Sequence, residues 1–211
     1  MTVMSVASVF TAALQGHACT VWEADQSPEP LPMHQWLGVA GGGDRALLEH
    51  CVGHTLDVGC GPGRMAESLA RGGQPVLGID VLPEAVRQTL ARGVPALLRS
   101  VFDGLPGEGR WGTVLLADGN IGIGGDPVAL LERARELVAP DGRVVVDVAS
   151  WGTGVVTRHV SLETRHGRSG EFPWTTVGAD AVQAVASAAG LGAATGHRHG
   201  ERSWAVIEGR A

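Results

Sequence analysis

Between residues 52 and 150 the chain alternates between two periodicities. Apolar runs of strand length occupy 54–59, 75–80, 95–100, 111–118 and 143–150. Stretches of helical pattern lie at 64–71, 83–92 and 127–138. Pro83 suits the first turn of its helix, and Asp126 is placed to cap the next one. Strands that alternate with helices cannot pair as hairpins. They form a parallel sheet with helices on both faces.

After residue 150 the pattern changes. Residues 155–165 alternate like a half-exposed strand, and 180–189 read as an alanine-rich helix. The end reads as two strands turning at "HGER", residues 199–202. An antiparallel pair is a common finish to a parallel sheet. The expected fold is therefore α/β, a doubly wound Rossmann-like sheet, mostly parallel with antiparallel C-terminal strands. Residues 1–51 read as an N-terminal cap: a helix at 6–14, a strand at 19–24 and a three-proline loop at 25–32. Asp44 is the expected N-cap of a helix at 45–51. The core is expected over 52–211, in one structural domain overall.

Composition narrows the chemistry. Hydrophobic residues make up 44% and charged residues 18% of the 211, as in a globular protein. All basic side chains are arginine, and there is neither lysine nor tyrosine. No Schiff-base lysine is available, and no tyrosine–lysine pair for a short-chain dehydrogenase. The net charge of −6 argues against nucleic acid as a partner. Cys19, Cys51 and Cys60 show no metal spacing, so a reducing cytoplasm is expected. The first residues lack a basic signal-peptide start, and no apolar run reaches the ~18 residues of a membrane span.

The stretch "LDVGCGPGR" runs straight from a strand into Gly59, Gly61 and Gly63. In an open α/β sheet this turn faces the ligand crevice, and bare backbone there admits close approach. The spacing is G-x-G-x-G, with Arg64 where a dinucleotide loop has its third glycine. Asp57 would repel a pyrophosphate but suits a cation such as an amino-acid ammonium. Asp80 ends the second strand, seventeen residues beyond Gly63, and can accept from both ribose hydroxyls. A cationic amino acid joined to a ribose describes S-adenosylmethionine.

On "LDVGCGPGR" and "GID", the chain resembles the class I S-adenosylmethionine-dependent methyltransferases over residues 56–150. The resemblance implies S-adenosyl-L-methionine as cofactor and a sheet of that family's topology. Asp57, Gly59, Cys60 and Gly61 would line its methionine part, and Asp80 would hold the ribose. Val81 and Leu82 would pack on adenine. Where the family often has an acid after the third strand, this chain has Ser100, so Ser100 and Val101 are the expected adenine contacts, with Phe102 nearby.

Asp118 follows the fourth strand, where the family borders the methyl group. It is a candidate cofactor contact and a candidate base. Asp118 and Asp147 lack an evident third oxygen ligand, so no metal is expected. His34, beside Trp36 in the cap, is a second candidate base. His159 and His166, on the added strand, are further candidates of the same kind, and Arg165, Arg168 and the "EFPW" stretch at 171–174 are candidates to meet a polar or anionic acceptor. His197 and His199 read as a solvated hairpin tip. The expected activity is methyl transfer to a small molecule, with no nucleic-acid or membrane partner. The rivals are an S-adenosylmethionine protein that performs another step or only binds, and a nicotinamide oxidoreductase. The absent third glycine and Asp57 count against the oxidoreductase.

Overall fold

The computed structural model describes residues 3–24 and 26–209. Asp25, in the expected proline loop, lies outside them. The N-terminal part runs β1 (Val3–Met4), α1 (Val6–Leu14), β2 (Thr20–Glu23), β3 (Glu29–Pro30), α2 (Met33–Leu37) and α3 (Gly42–Leu48). Ser5 caps α1 by accepting from the Ser8 amide at 3.1 Å, and the helix buries Val9, Ala13 and Leu14.

The core follows as β4 (Thr55–Val58), α4 (Arg64–Arg71), β5 (Val76–Asp80), α5 (Pro83–Ala91), β6 (Ala96–Leu98) and β7 (Trp111–Leu116). A 3-10 segment, Asn120–Gly125, leads to α6 (Pro127–Leu137) and β8 (Val138–Val148). Asp126 caps α6, accepting from the amides of Val128 and Ala129 at 3.1 and 3.0 Å. The remainder is β9 (Val155–Thr164), β10 (Gly167–Ser169), β11 (Phe172–Val177), α7 (Val182–Ala188), β12 (Ala194–His199) and β13 (Arg202–Glu208).

The main sheet has the order β12-β13-β8-β7-β4-β5-β6. Strands β4 to β8 pair in parallel, and β13 and β12 close the sheet antiparallel. This is the expected Rossmann-like architecture. The chain steps outward from β4 to β6, then returns to β7 on the other side of β4. That reversal opens a crevice at the C-terminal ends of β4 and β7. Alternation along the strands feeds two cores. Val144 and Val146 pack toward α6 and α7, while Val145 packs toward α3 and α4 with Leu47 and Met65.

A second sheet, ordered β1-β10-β9-β2-β3 with β11 on β9, joins the N-terminal part to the excursion at 155–177. Strand β2 pairs antiparallel with β9, from Thr20 opposite Glu163 to Glu23 opposite Val160. A third apolar cluster fastens this sheet to the core, with Val9, Leu14, Met33 and Leu162 against Leu82, the N-cap of α5, and Ala85 within it.

Two local expectations need correction. Asp44 is not an N-cap: Gly41 holds that position, and Asp44 is the third helical residue, accepting from the Gly41 amide at 2.7 Å. The strand expected to begin at 143 begins at Val138, immediately after α6. Val138 already pairs with Trp111, and a register shift absorbs the "APDG" stretch. Asp147 sits near the end of this strand.

Candidate functional site

The glycines of the first strand-to-helix turn serve different ends. Gly63 has φ +85°, and a Cβ there would lie 2.6 Å from the Thr89 hydroxyl, so its bareness lets α4 start against α5. Gly61 has φ +53°, and a Cβ there would meet nothing within 4 Å. Its peptide is nonetheless held, with the amide donating to Asp80 Oδ2 at 3.0 Å and the carbonyl accepting from the Thr89 hydroxyl at 2.9 Å. Gly59 is fixed from the far side. Asn120 donates its side-chain amide to the carbonyls of Val58 and Gly59, at 2.8 and 3.0 Å.

Asp80 accepts from the Leu82 amide at 2.9 Å as well as from Gly61. Burial raises its pKa, and these backbone donors work against the rise. Asp57, in the middle of β4, is 1% exposed, and its Oδ2 has no hydrogen-bond partner. Burial first, and the neighbouring Asp118 charge second, push it up to about 7, with Arg64 opposing. Arg64 opens α4 at 5% exposure, and its Nε is likewise unpartnered. Asp57 and Arg64 both line one cavity.

Behind this pair lies an ion network. Arg64 binds Asp44 at 2.5 Å and Asp118 through two bonds at 2.5 and 2.7 Å. Arg202, on β13, pairs with Asp44 and Asp147 and reaches Asp118 at 3.3 Å. Asp118 donates its own amide to Asp147 Oδ2 at 2.5 Å. With φ 55°, it is the single non-glycine residue of left-handed backbone among the described residues. Such a conformation persists where the surroundings over-determine it. Neither oxygen of Asp118 is free of arginine: Oδ1 accepts from Arg64 and Arg202, and Oδ2 accepts from Arg64. The oxygens of Asp118 and Asp147 serve arginine and backbone donors. No cluster of three or more metal-ligating side chains occurs among the described residues.

A cavity of about 980 Å³ spans the crevice. One wall is the loop from Asp57 to Met65, with Asp80 to Leu82, Ser100 and Val101. The other comes from the second sheet and its flanks, chiefly Phe10, Val21, Trp36, Val160, Phe172 and Trp174. A smaller cavity of about 430 Å³ adjoins it over the ends of β7 and β8, and Asp118, Trp174 and Thr176 line both.

Residues 56–146 match the family described as a methyltransferase domain. The fold is the Rossmann-like fold of class I methyltransferases. A ubiquinone biosynthesis O-methyltransferase of Xanthomonas euvesicatoria is 34% identical over 131 residues, covering 58% of this chain and 53% of that protein. The chain thus spans about half the length of the curated relatives it matches. A methyltransferase of Bacteroides fragilis, solved with S-adenosyl-L-homocysteine, superimposes with a TM-score of 0.83 at 20% identity, covering 100% of this chain and 98% of that one. The CcbJ methyltransferase of Streptomyces caelestis gives 0.62 at 19% identity, over 83% and 92% of the two chains. At these identities the likeness is one of fold.

Asp57, Gly59, Cys60, Gly61, Asp80, Val81, Leu82, Ser100, Val101 and Asp118 all line the large cavity. They do so differently. Val81 is 64% exposed at the rim, whereas Leu82 and Val101 are buried. The Cys60 thiol turns inward to the Thr89 hydroxyl at 3.6 Å, and burial pushes its pKa up, so Cys60 offers backbone alone. Phe102 is half exposed and does not line the cavity.

The cap residues divide as well. His34 is exposed and does not line the cavity, so the second candidate base is out of position. Its neighbours Leu31, Pro32 and Trp36 do line it. Of the "EFPW" stretch, Phe172, Pro173 and Trp174 face the cavity. His159, Arg165, His166 and Arg168 do not. His166 packs edge-on against His17, and Arg168 lies over the Trp22 ring at 4.8 Å. His197, at the expected hairpin, stacks on Trp204. Sequence reasoning missed Asn120 as the staple of the first loop, Arg202 as a partner of Asp118, and Asp44 as the carboxylate that pairs with both Arg64 and Arg202. None of the three carries a local signal beyond its polarity.

Proposed function

We propose that this protein binds S-adenosyl-L-methionine in the large cavity and transfers its methyl group to a small-molecule acceptor. The observation that carries the reading is the coupling of Gly61 to Asp80, which puts bare backbone and a strand-end carboxylate on one wall. Asp80 keeps lone pairs beyond the two that its backbone donors use, enough for ribose hydroxyls. Asp57 and Arg64 line the same wall with opposite charge, one suited to an ammonium and the other to a carboxylate. Together they suit the amino-acid end of the cofactor. Leu82, Val101 and the Ser100 backbone form the adenine side.

When bound, the cofactor supplies an electrophilic methyl group on a sulfonium. The chain's part is to hold, align and exclude water, which accounts for much of the rate in such a transfer. A volume of about 980 Å³ stands at the upper end of small-ligand sites, leaving room for a second molecule against Phe10, Trp36 and Trp174. That enclosure supports a small molecule as acceptor and no nucleic acid. The O-methyltransferase relatives support methyl transfer as the reaction. The three cysteines are unpaired and buried, which suits a reducing cytoplasm. No helix among the described residues is long and apolar enough to cross a membrane.

Calorimetric titration with S-adenosylhomocysteine and with NADH tests the ligand. We expect binding of the first and none of the second. Turnover of S-adenosylmethionine to S-adenosylhomocysteine with a methylated product then separates an enzyme from a binding module. NADH binding without S-adenosylhomocysteine binding overturns the reading.

A further inference from the structure

The acceptor side lacks one kind of chemistry. No histidine lines either cavity among the described residues, and the chain holds no lysine or tyrosine. The carboxylates there are committed. Asp118 is bound by Arg64, Asp147 by Arg202, and Glu23 stands 3.4 Å from Arg158. Glu29 and Glu201 are exposed. A hydroxyl acceptor must give up a proton as its oxygen attacks, and a positioned base is the usual means. An amine needs no base in the site: its ammonium form loses a proton to water before entry, and the free base then attacks through its lone pair.

Charge points the same way. The network at the junction of the two cavities joins three carboxylates, Asp44, Asp118 and Asp147, to two guanidiniums, Arg64 and Arg202. One negative charge is left unmatched, in a largely buried setting where screening is weak. Trp174 lines both cavities beside it, and an indole face attracts cations.

Resting on the proposed function, we infer that the acceptor is a small-molecule amine, methylated on nitrogen at the junction of Asp118 and Trp174. The nitrogen lone pair forms the new N–C bond. The C–S bond breaks with its electron pair going to sulfur, and the positive charge passes from sulfur to nitrogen. The unmatched carboxylate charge stabilises the cation developing on nitrogen, which favours the transition state over the bound free base. The alkylammonium then releases a proton to water through the smaller cavity.

The test is a binding comparison on the full chain saturated with S-adenosylhomocysteine, using benzylamine, benzyl alcohol and phenol as probes followed by NMR. At neutral pH benzylamine is a cation and mimics the product. We expect it to bind roughly tenfold more tightly than either neutral probe, as a charge-assisted contact implies. Equal or tighter binding of the alcohol or phenol overturns the inference, as does no detectable benzylamine binding at millimolar concentration. Failure of S-adenosylhomocysteine itself to bind is a separate result, and it overturns the proposed function on which the inference stands.

Discussion

The Gly61 amide donates to the Asp80 carboxylate at 3.0 Å, tying the turn after β4 to the end of β5. One side chain therefore holds the loop in shape and presents its remaining lone pairs to the cavity. Asp80→Ala removes both functions. Loss of one charge-assisted hydrogen bond costs ~1.5–3 kcal/mol, so S-adenosylhomocysteine affinity should fall roughly tenfold or more. Calorimetry on a variant with native circular dichroism checks this, and unchanged affinity removes the ribose role.

Gly61 and Gly63 should respond in opposite ways to the same change. Gly61→Ala places a methyl group in open cavity space at φ +53°, so ligand affinity should suffer more than stability, which loses about 1 kcal/mol to left-handed strain. Gly63→Ala drives a methyl group to 2.6 Å from the Thr89 hydroxyl and 3.0 Å from its Cα. Overpacking of that kind costs about 1–3 kcal/mol, so the main loss should appear in urea denaturation. The reverse ordering of the two variants would contradict the division of labour among the glycines.

Arg64 is 5% exposed and neutralises Asp44 and Asp118 together. Removing one partner of a buried pair leaves uncompensated charge and costs about 3–5 kcal/mol. Arg64→Ala should therefore lower the melting temperature steeply. If thermal unfolding is unaffected, the network is not structural.

Asp57 titrates near 7 in the folded protein, above its ordinary carboxylate value. The folded state then binds more protons than the unfolded one between about pH 4 and pH 7, so this group's contribution to stability falls as pH rises through that window and levels off above it. Ligand binding has the opposite sign, because an ammonium prefers the ionised carboxylate. Affinity for S-adenosylhomocysteine should rise from about pH 6 to about pH 8, and Asp57→Asn should flatten the rise. Titrations at several pH values on both proteins decide it.

His34 lies outside the cavity and Trp36 within its wall. His34→Ala should leave S-adenosylhomocysteine affinity and turnover near the parent values, while Trp36→Ala should reduce turnover. A large fall in maximal rate for His34→Ala would restore that histidine as a base.

The core sheet and the glycine-loop wall of the large cavity were legible because their signals are local. Alternating periodicity marks β4, β5, β7 and β8, and a glycine turn marks where side chains must vanish. Asp80 is readable from its distance to the glycines alone. The rest depends on contacts between distant parts of the chain. Nothing near Thr20–Glu23 announces β9 as its partner, since either could serve as an exposed strand until the other covers it. Asp44 looks the same from sequence at the N-cap or at the third helical position. Its choice is made by Arg64 and by Arg202, the latter 158 residues away. Asp118 reads as a free carboxylate in a glycine-rich turn, and only the folded chain shows it gripped by arginine. Local patterning determined the sheet and the loop that lines the large cavity. Long-range pairing of charge and of strand edges, whose energy appears only when the chain closes on itself, decided the second wall of the cavity and which carboxylates are paired with arginine.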